Sequence, residues 1–204
     1  MPPTSSADFE RAILDAARAG VAEHGYANLS MRQIAKAVGC SVGTIYLYYD
    51  NKDALYGALV DEAVRHLIAS YQPAFGIENP VERLEAFCRS YVRFALTYPE
   101  QYKVMYLELN LDPGRLSNYG QSRKPLLDTS EALREAHERG LLYSPSPMGD
   151  ATYMWAALHG ILSLILARLV NPKADRDRLI DLTIRRVINS FRCAPERDGD
   201  GLGE

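Results

Sequence analysis

Two serines, Ser30 and Ser41, punctuate the stretch LSMRQIAKAVGCSVGTIYLYYDNK, and Gly39 falls just before the second. A serine accepts hydrogen bonds from the free amides of a helix's first turn, and a glycine takes the left-handed conformation that closes a helix. The spacing leaves room for two turns of helix, MRQIAKAV, with Ile34, Ala35 and Val38 inward. A tight turn at Gly39-Cys40 follows, and Ser41 opens a second helix, VGTIYLY. Two helices packed across such a turn make a helix-turn-helix. The second is too short and polar to be mainly a core element. Ile45 is its clearest inward anchor, with Tyr49 one turn later, which leaves Val42, Thr44, Tyr46 and Tyr48 facing largely outward.

The rest of the chain reads as helix throughout, with no Asn-Gly or Asp-Gly hairpin between alternating apolar runs. A first helix runs from Asp8 to His24, with Phe9, Ile13, Ala17 and Val21 on one face and Gly25 as its stop. Asp50 or Asn51 caps a long fourth helix buried through Leu55, Leu59, Ala63, Leu67 and Tyr71. QPAFGIENP breaks the chain, and Asn79, Pro80 and Glu82 open the fifth helix. EQYKVMYLEL is the sixth, NLDPGRLSNYG a loop, and the seventh lies between Ser122 and Arg139. The eighth follows SPSP and ends at Asn171-Pro172; the ninth runs from Asp175 to Arg192. The expectation is an all-α chain of about nine helices. A three-helix helix-turn-helix domain at residues 1–52 is joined through the long fourth helix to a second, larger helical domain at 53–193. Residues 194–204, charged and glycine-rich, read as a disordered tail.

Composition narrows the function. With 204 residues, 47% of them hydrophobic, the chain can bury a real core. A net charge of −3 does not suit a generic polyanion binder. Residues 1–50 hold four basic side chains against five acidic ones, so few Coulombic contacts and a modest salt dependence are expected of any DNA binding. Cys40, Cys88 and Cys193 form no CxxC pair and no metal set, which points to a reducing cytoplasm and to no metal or other cofactor. The acid-bearing N-terminus has no apolar core of a signal peptide. The apolar run YMWAALHGILSLILARLV contains His159 and reads as a buried helix, not a membrane span.

The stretch AILDAARAGVAEHGYANLSMRQIAKAVGCSVGTIYLYYDNKDAL closely resembles the DNA-binding region of the tetracycline-repressor (TetR) family. The resemblance rests on HGY, IAKAVG, GTIYLYY and NKDAL and covers about the first quarter of the chain. It implies a homodimeric, all-helical regulator, usually a repressor, with a ligand pocket in the C-terminal domain. It also implies that Arg32, Ser41, Val42, Gly43, Thr44, Tyr46, Tyr48 and Lys52 are the positions that touch DNA. Val21, Tyr49 and Cys40 depart from the family's usual residues and alter packing only. The side-chain chemistry agrees. Lys52 opens a helix, where free amides and the dipole favour a phosphate. Hydroxyls of Thr44, Tyr46 and Tyr48 can donate to phosphate oxygens, Gly43 permits close backbone approach, and Val42 suits a thymine methyl. Arg32 suits a base edge or a nearby phosphate.

In the C-terminal part, Tyr91, Phe94, Tyr102, Met105, Tyr106, Trp155 and His159 are candidates to line a cavity for a small organic effector. Ala156, Ala157, Gly160 and Leu164 of the eighth helix, with Ile184, Val187, Ile188 and Phe191 of the ninth, are candidates for a homodimer interface. A two-fold axis makes the operator a palindrome in double-stranded DNA. Effector bound among the fifth to eighth helices is expected to displace the fourth and so weaken DNA binding. Of the remaining histidines, His24 is expected to meet the carbonyl end of the first helix, and His66 and His137 to lie at the surface. Cys40 reads as a small buried turn residue, not a redox switch. The alternatives are a constitutive or architectural DNA-binding protein without an inducer, or an enzyme. No nucleophile motif, HExxH, phosphate loop or spaced carboxylate pair supports the enzyme.

Overall fold

Helix boundaries in the computed structural model follow the caps. It describes residues 6–106, 123–171, 173 and 175–192. Nine α-helices occur among them: α1 Ser6–Asn28, α2 Met31–Val38, α3 Val42–Tyr46, α4 Lys52–Tyr71, α5 Pro80–Thr97, α6 Pro99–Tyr106, α7 Lys124–Glu138, α8 Pro147–Leu166 and α9 Arg176–Asn189. A 3-10 turn, Gln72–Gly76, stands where the sequence suggested only a break. No strand occurs among the described residues. The chain divides into two compact units, Met1–Ser70 with Arg93–Pro125, and Tyr71–Val92 with Leu126–Glu204.

The first unit is built on α1 to α4 and α6. Ser30 and Gln33 form a reciprocal capping box at α2. Gly39 closes that helix at φ 79°, its amide donating to Ala35 O at 2.9 Å, and Cys40 N donates to the same carbonyl at 3.0 Å. Ser41 Oγ then accepts from Thr44 N at 3.1 Å and starts α3. Ile13, Ala17 and Val21 of α1 are buried with Ile34 and Ala35 of α2, Ile45 of α3, and Tyr49. Phe9 of the same α1 stripe is only half-buried. Arg18 pairs with Glu62 at 2.5 Å and joins α1 to α4, while α6 packs on α1. The fourth-helix stripe Leu55, Leu59, Ala63, Leu67 and Tyr71 is buried as expected.

The second unit has its own core of Leu84, Leu133, Met154, Leu162 and Ile184. Asn79 caps α5 by accepting from Val81 N at 2.9 Å. Arg83 of α5 pairs with Glu135 of α7 at 2.7 Å. Tyr71 donates to Asp128 at 2.7 Å, and its ring meets those of Phe75 and Phe87. Asp175 caps α9, which packs along α8.

Several expectations need correction. α3 has five residues, not seven. α1 breaks at Gly25, where φ is 74°, but a last turn carries the helical stretch to Asn28. α8 stops at Leu166 because Arg168 turns left-handed, φ 58°, and lets Leu169 N reach back to Leu164 O at 2.9 Å. His24 does not cap α1: its Nε2 lies 3.8 Å from Glu23, and Asn28 Nδ2 donates to the His24 carbonyl instead. His66 is exposed as expected, but His137 is half-buried, with Nδ1 3.3 Å from Ser144 N and its ring against Tyr143. Ile184, Val187, Ile188 and Phe191 fill this chain's own core, because α9 turns its apolar face inward onto α8. The end of the sixth helix beyond Tyr106, the loop at 110–120, Cys193 and the tail lie outside the described residues.

A Cβ added at Gly39 meets nothing within 4 Å, so only its left-handed backbone demands glycine. Gly39→Ala is expected to lower stability by about 1 kcal/mol, read by urea unfolding, with Gly39→Asn losing less.

Candidate nucleic-acid interface

α3 is placed by one buried side chain. Ile45 is 0% exposed, and its carbonyl accepts from Tyr49 N at 3.0 Å, so the chain stays wound past the helix end. Tyr49 is buried and its hydroxyl donates to Glu10 of α1. Burial first, and the Glu10 carboxylate second, push the Tyr49 phenol well above its ordinary value. Tyr49 is therefore core, as its spacing from Ile45 implies.

The opposite side of α3 is open. Tyr46 is 48% exposed and Leu47 83% exposed. Ser41 and Gly43 are exposed, and Val42 and Thr44 are half-buried. Ser41 Oγ and Thr44 Oγ1 lie 2.8 Å apart, so the cap and the first outward hydroxyl form one polar pair. Tyr48 is half-buried, its ring 5.5 Å from Phe9 and its hydroxyl 3.4 Å from Ser6 Oγ, both on α1. Arg32 is exposed in the first turn of α2. Lys52 opens α4; its ammonium donates to Ala27 O at 3.4 Å and sits 4.1 Å from the Tyr26 ring centroid. The eight candidate DNA residues thus share the compact unit that carries α2 and α3.

Gly43 is informative. A Cβ there would meet Ser41 Oγ at 3.6 Å, an ordinary contact, and its backbone is not left-handed. The fold does not require glycine, and inside a helix glycine is unfavourable by about 1 kcal/mol relative to alanine. A bare backbone at this exposed position suits a large surface that approaches closely. Leu47 was not singled out by the sequence reading. Its place two residues past the inward Ile45 is the signal that could have found it, since that rotation points it away from the core.

Cys40 is half-buried, and burial raises its thiol above the ordinary value, which makes it a poor nucleophile. Cys88 is buried, its thiol pushed up to about 12 by burial first and Glu85 second. No group of three or more His, Cys, Asp or Glu that could hold a metal occurs among the described residues, and no helix there is long and apolar enough to cross a membrane.

The candidate effector residues fall in both units. In the second, Trp155 Nε1 donates to Tyr91 OH at 3.1 Å, Tyr91 OH lies 3.5 Å from His159 Nδ1, and His159 Nε2 lies 3.4 Å from Ser163 Oγ. Tyr91 accepts from the indole, so its own proton suits Nδ1, and Nε2–H then suits Ser163. Burial lowers the His159 pKa, in keeping with this neutral tautomer. Phe94, Tyr102 and Met105 are buried in the first unit, where the Tyr102 and half-buried Tyr106 rings lie 5.2 Å apart. On α8, Ala156, Gly160 and Leu164 are exposed and Ala157 is half-buried.

Two family models match this chain: "Bacterial regulatory proteins, tetR family" over residues 13–59, and "Tetracyclin repressor-like, C-terminal domain" over 84–187. The HTH-type transcriptional repressor AcnR of Corynebacterium diphtheriae is 35% identical over 201 residues, 93% of this chain and 98% of that one. Two uncharacterized HTH-type transcriptional regulators of Mycobacterium tuberculosis are 38% identical over 73 residues, 35% of this chain, which spans only 36% of their length. The solved structure of AibR in complex with isovaleryl coenzyme A and operator DNA shares the fold, with a TM-score of 0.70 at 21% identity over 87% of this chain and 97% of that one. The family and these relatives are regulators of transcription, not enzymes. Matched by both models and to a relative along nearly its whole length, the chain belongs to the TetR family of bacterial regulatory proteins.

Proposed function

We propose that this chain is a cytoplasmic repressor that binds a palindromic operator as a homodimer and is released by a small organic effector. Residues 1–52 read the DNA, and residues 53–193 bind the effector and hold the dimer. The observation that carries the reading is the open face of α3, where Tyr46 and Leu47 stand exposed while Ile45 is sealed. A five-residue helix too short to be stable alone is held in place by the core only to display its other side.

On this reading α3 enters the major groove. Tyr46, Thr44, Ser41 and Tyr48 give hydroxyls to phosphates, and Val42 gives apolar contact to a thymine methyl. Arg32 reaches a base edge or phosphate from α2, Gly43 lets the backbone close on the duplex, and Lys52 meets a phosphate at the α4 N-terminus. The copies of the chain meet through the outward stripe of α8, Ala156, Gly160 and Leu164, with Ala157 beside it. Small residues at the middle of that stripe permit close approach of two helices. The two-fold axis sets two half-sites roughly 34–36 Å apart. The effector has an apolar body with a polar group, matched to the Tyr91, Trp155 and His159 cluster in one unit or to Phe94, Tyr102, Met105 and Tyr106 in the other. AibR, with its acyl coenzyme A and operator, supports the pairing of effector and DNA in this fold. A coupling of about 1–3 kcal/mol weakens operator binding roughly 5- to 150-fold.

Selection of bound duplexes from a random DNA pool tests the reading. It is expected to return a palindrome; a sequence-independent pool contradicts it and favours an architectural binder. With that duplex, Tyr46→Ala is expected to lose roughly 1.5 kcal/mol, about tenfold in affinity. Gly43→Ala is expected to raise stability by about 0.5–1 kcal/mol yet weaken operator binding; tighter or equal binding would argue against close backbone approach. Leu164→Glu is expected to leave the chain folded, by circular dichroism, and monomeric by analytical ultracentrifugation.

A further inference from the structure

We infer that Tyr26 is a positioning residue for DNA contact: its ring seats the Lys52 ammonium at the α4 N-terminus, and Tyr56 clamps that ring in place. The inference rests on the proposed phosphate contact at Lys52. Six residues of the first compact unit form the arrangement. Lys52 Nζ lies 4.1 Å from the Tyr26 centroid and 3.4 Å from the Ala27 carbonyl at the end of α1. The Tyr26 hydroxyl donates to Asp53, the next residue along α4. The Tyr26 ring meets the edge of Tyr56 at 4.5 Å and 60°. Tyr56 is 1% exposed, and its hydroxyl donates to the Val104 carbonyl of α6 at 2.6 Å.

Each contact has a consequence for the ammonium. A lysine stem is flexible, and taking one phosphate restricts it; a lysine already held against a ring gives up less freedom. An aromatic face and a carbonyl attract the cation without neutralising it, so the charge and spare N–H donors remain available. Tyr56, anchored on α6, fixes the ring plane that the lysine rests on. Any movement of α6 therefore reaches the phosphate-facing charge through two tyrosines.

The test is the salt dependence of binding to the duplex selected from the random pool, measured for the full chain. Lys52→Gln is expected to make the slope of log K against log salt shallower by about one per lysine lost, two per homodimer. Tyr26→Leu is expected to reach the same shallow slope, the double variant to go no further, and Tyr26→Phe, which keeps the ring, to hold the wild-type slope. A Tyr26→Leu variant with the wild-type slope, or a double variant shallower than Lys52→Gln, overturns the inference and marks Tyr26 as packing alone. If Lys52→Gln keeps the full slope, the inference falls while the palindrome, tested separately, still stands. Should Tyr26→Leu fail to fold, the ε-methylene protons of Lys52 in the wild-type chain decide. An upfield ring-current shift that Tyr26→Phe preserves supports the seat, and ordinary lysine shifts overturn it.

Discussion

Burial of Ile45 is the contact on which the DNA-facing half of this molecule depends. A helix of five residues cannot sustain itself by its own hydrogen bonds, because nucleation costs more than one turn returns. Three local devices and one tertiary contact hold it. Gly39 turns the chain, Ser41 starts the new helix, and Tyr49 continues the winding into the core. Ile45, fully enclosed with Ile13, Ile34 and Ala35 among its buried companions, then fixes the rotation of the helix about its axis. Fixing that rotation decides which side chains remain outside. Tyr46 and Leu47 are exposed as the geometric complement of an enclosed isoleucine.

The same economy appears in the glycines. Gly39 answers to the backbone, since its left-handed angle suits almost nothing else and there is open space around it. Gly43 answers to nothing inside the chain. Its backbone would take alanine, and there is room for the methyl group. On the proposed reading, a close-approaching duplex accounts for a glycine that the fold itself does not require. Lys52 follows a related logic: it is held by a ring and a carbonyl that leave its charge intact. Packing thus fixes these residues while Ser41, Gly43 and Tyr46 stay exposed to solvent.

Much of this was legible in the sequence because capping is local. Ser30, Gly39, Ser41, Asn51, Asn79 and Asp175 announce their helix ends within three or four residues, and the structure uses each one. The inward stripe of α4 was equally plain. What could not be read depends on neighbours distant in sequence. Val187 and Phe191 look like an apolar face in need of a partner, and only the packing of α9 on α8 supplies it from within the chain. His137 looks like a surface residue on a charged helix until the Leu142–Ser144 turn folds back over it. Tyr26 gave no hint of its lysine, since the two are separated by two whole helices and meet only where α1 ends beside the start of α4. Ending of α8 at Leu166 needed Arg168 to go left-handed, which no residue preference would suggest.

Amide hydrogen exchange of the full chain, with and without the duplex recovered from a random pool, tests the central claim most directly. Slowed exchange concentrated in residues 41–52, together with the first turn of α2, is the result expected of a face laid against DNA. Slowing confined to α8 and α9, with α3 unchanged by the duplex, would contradict it.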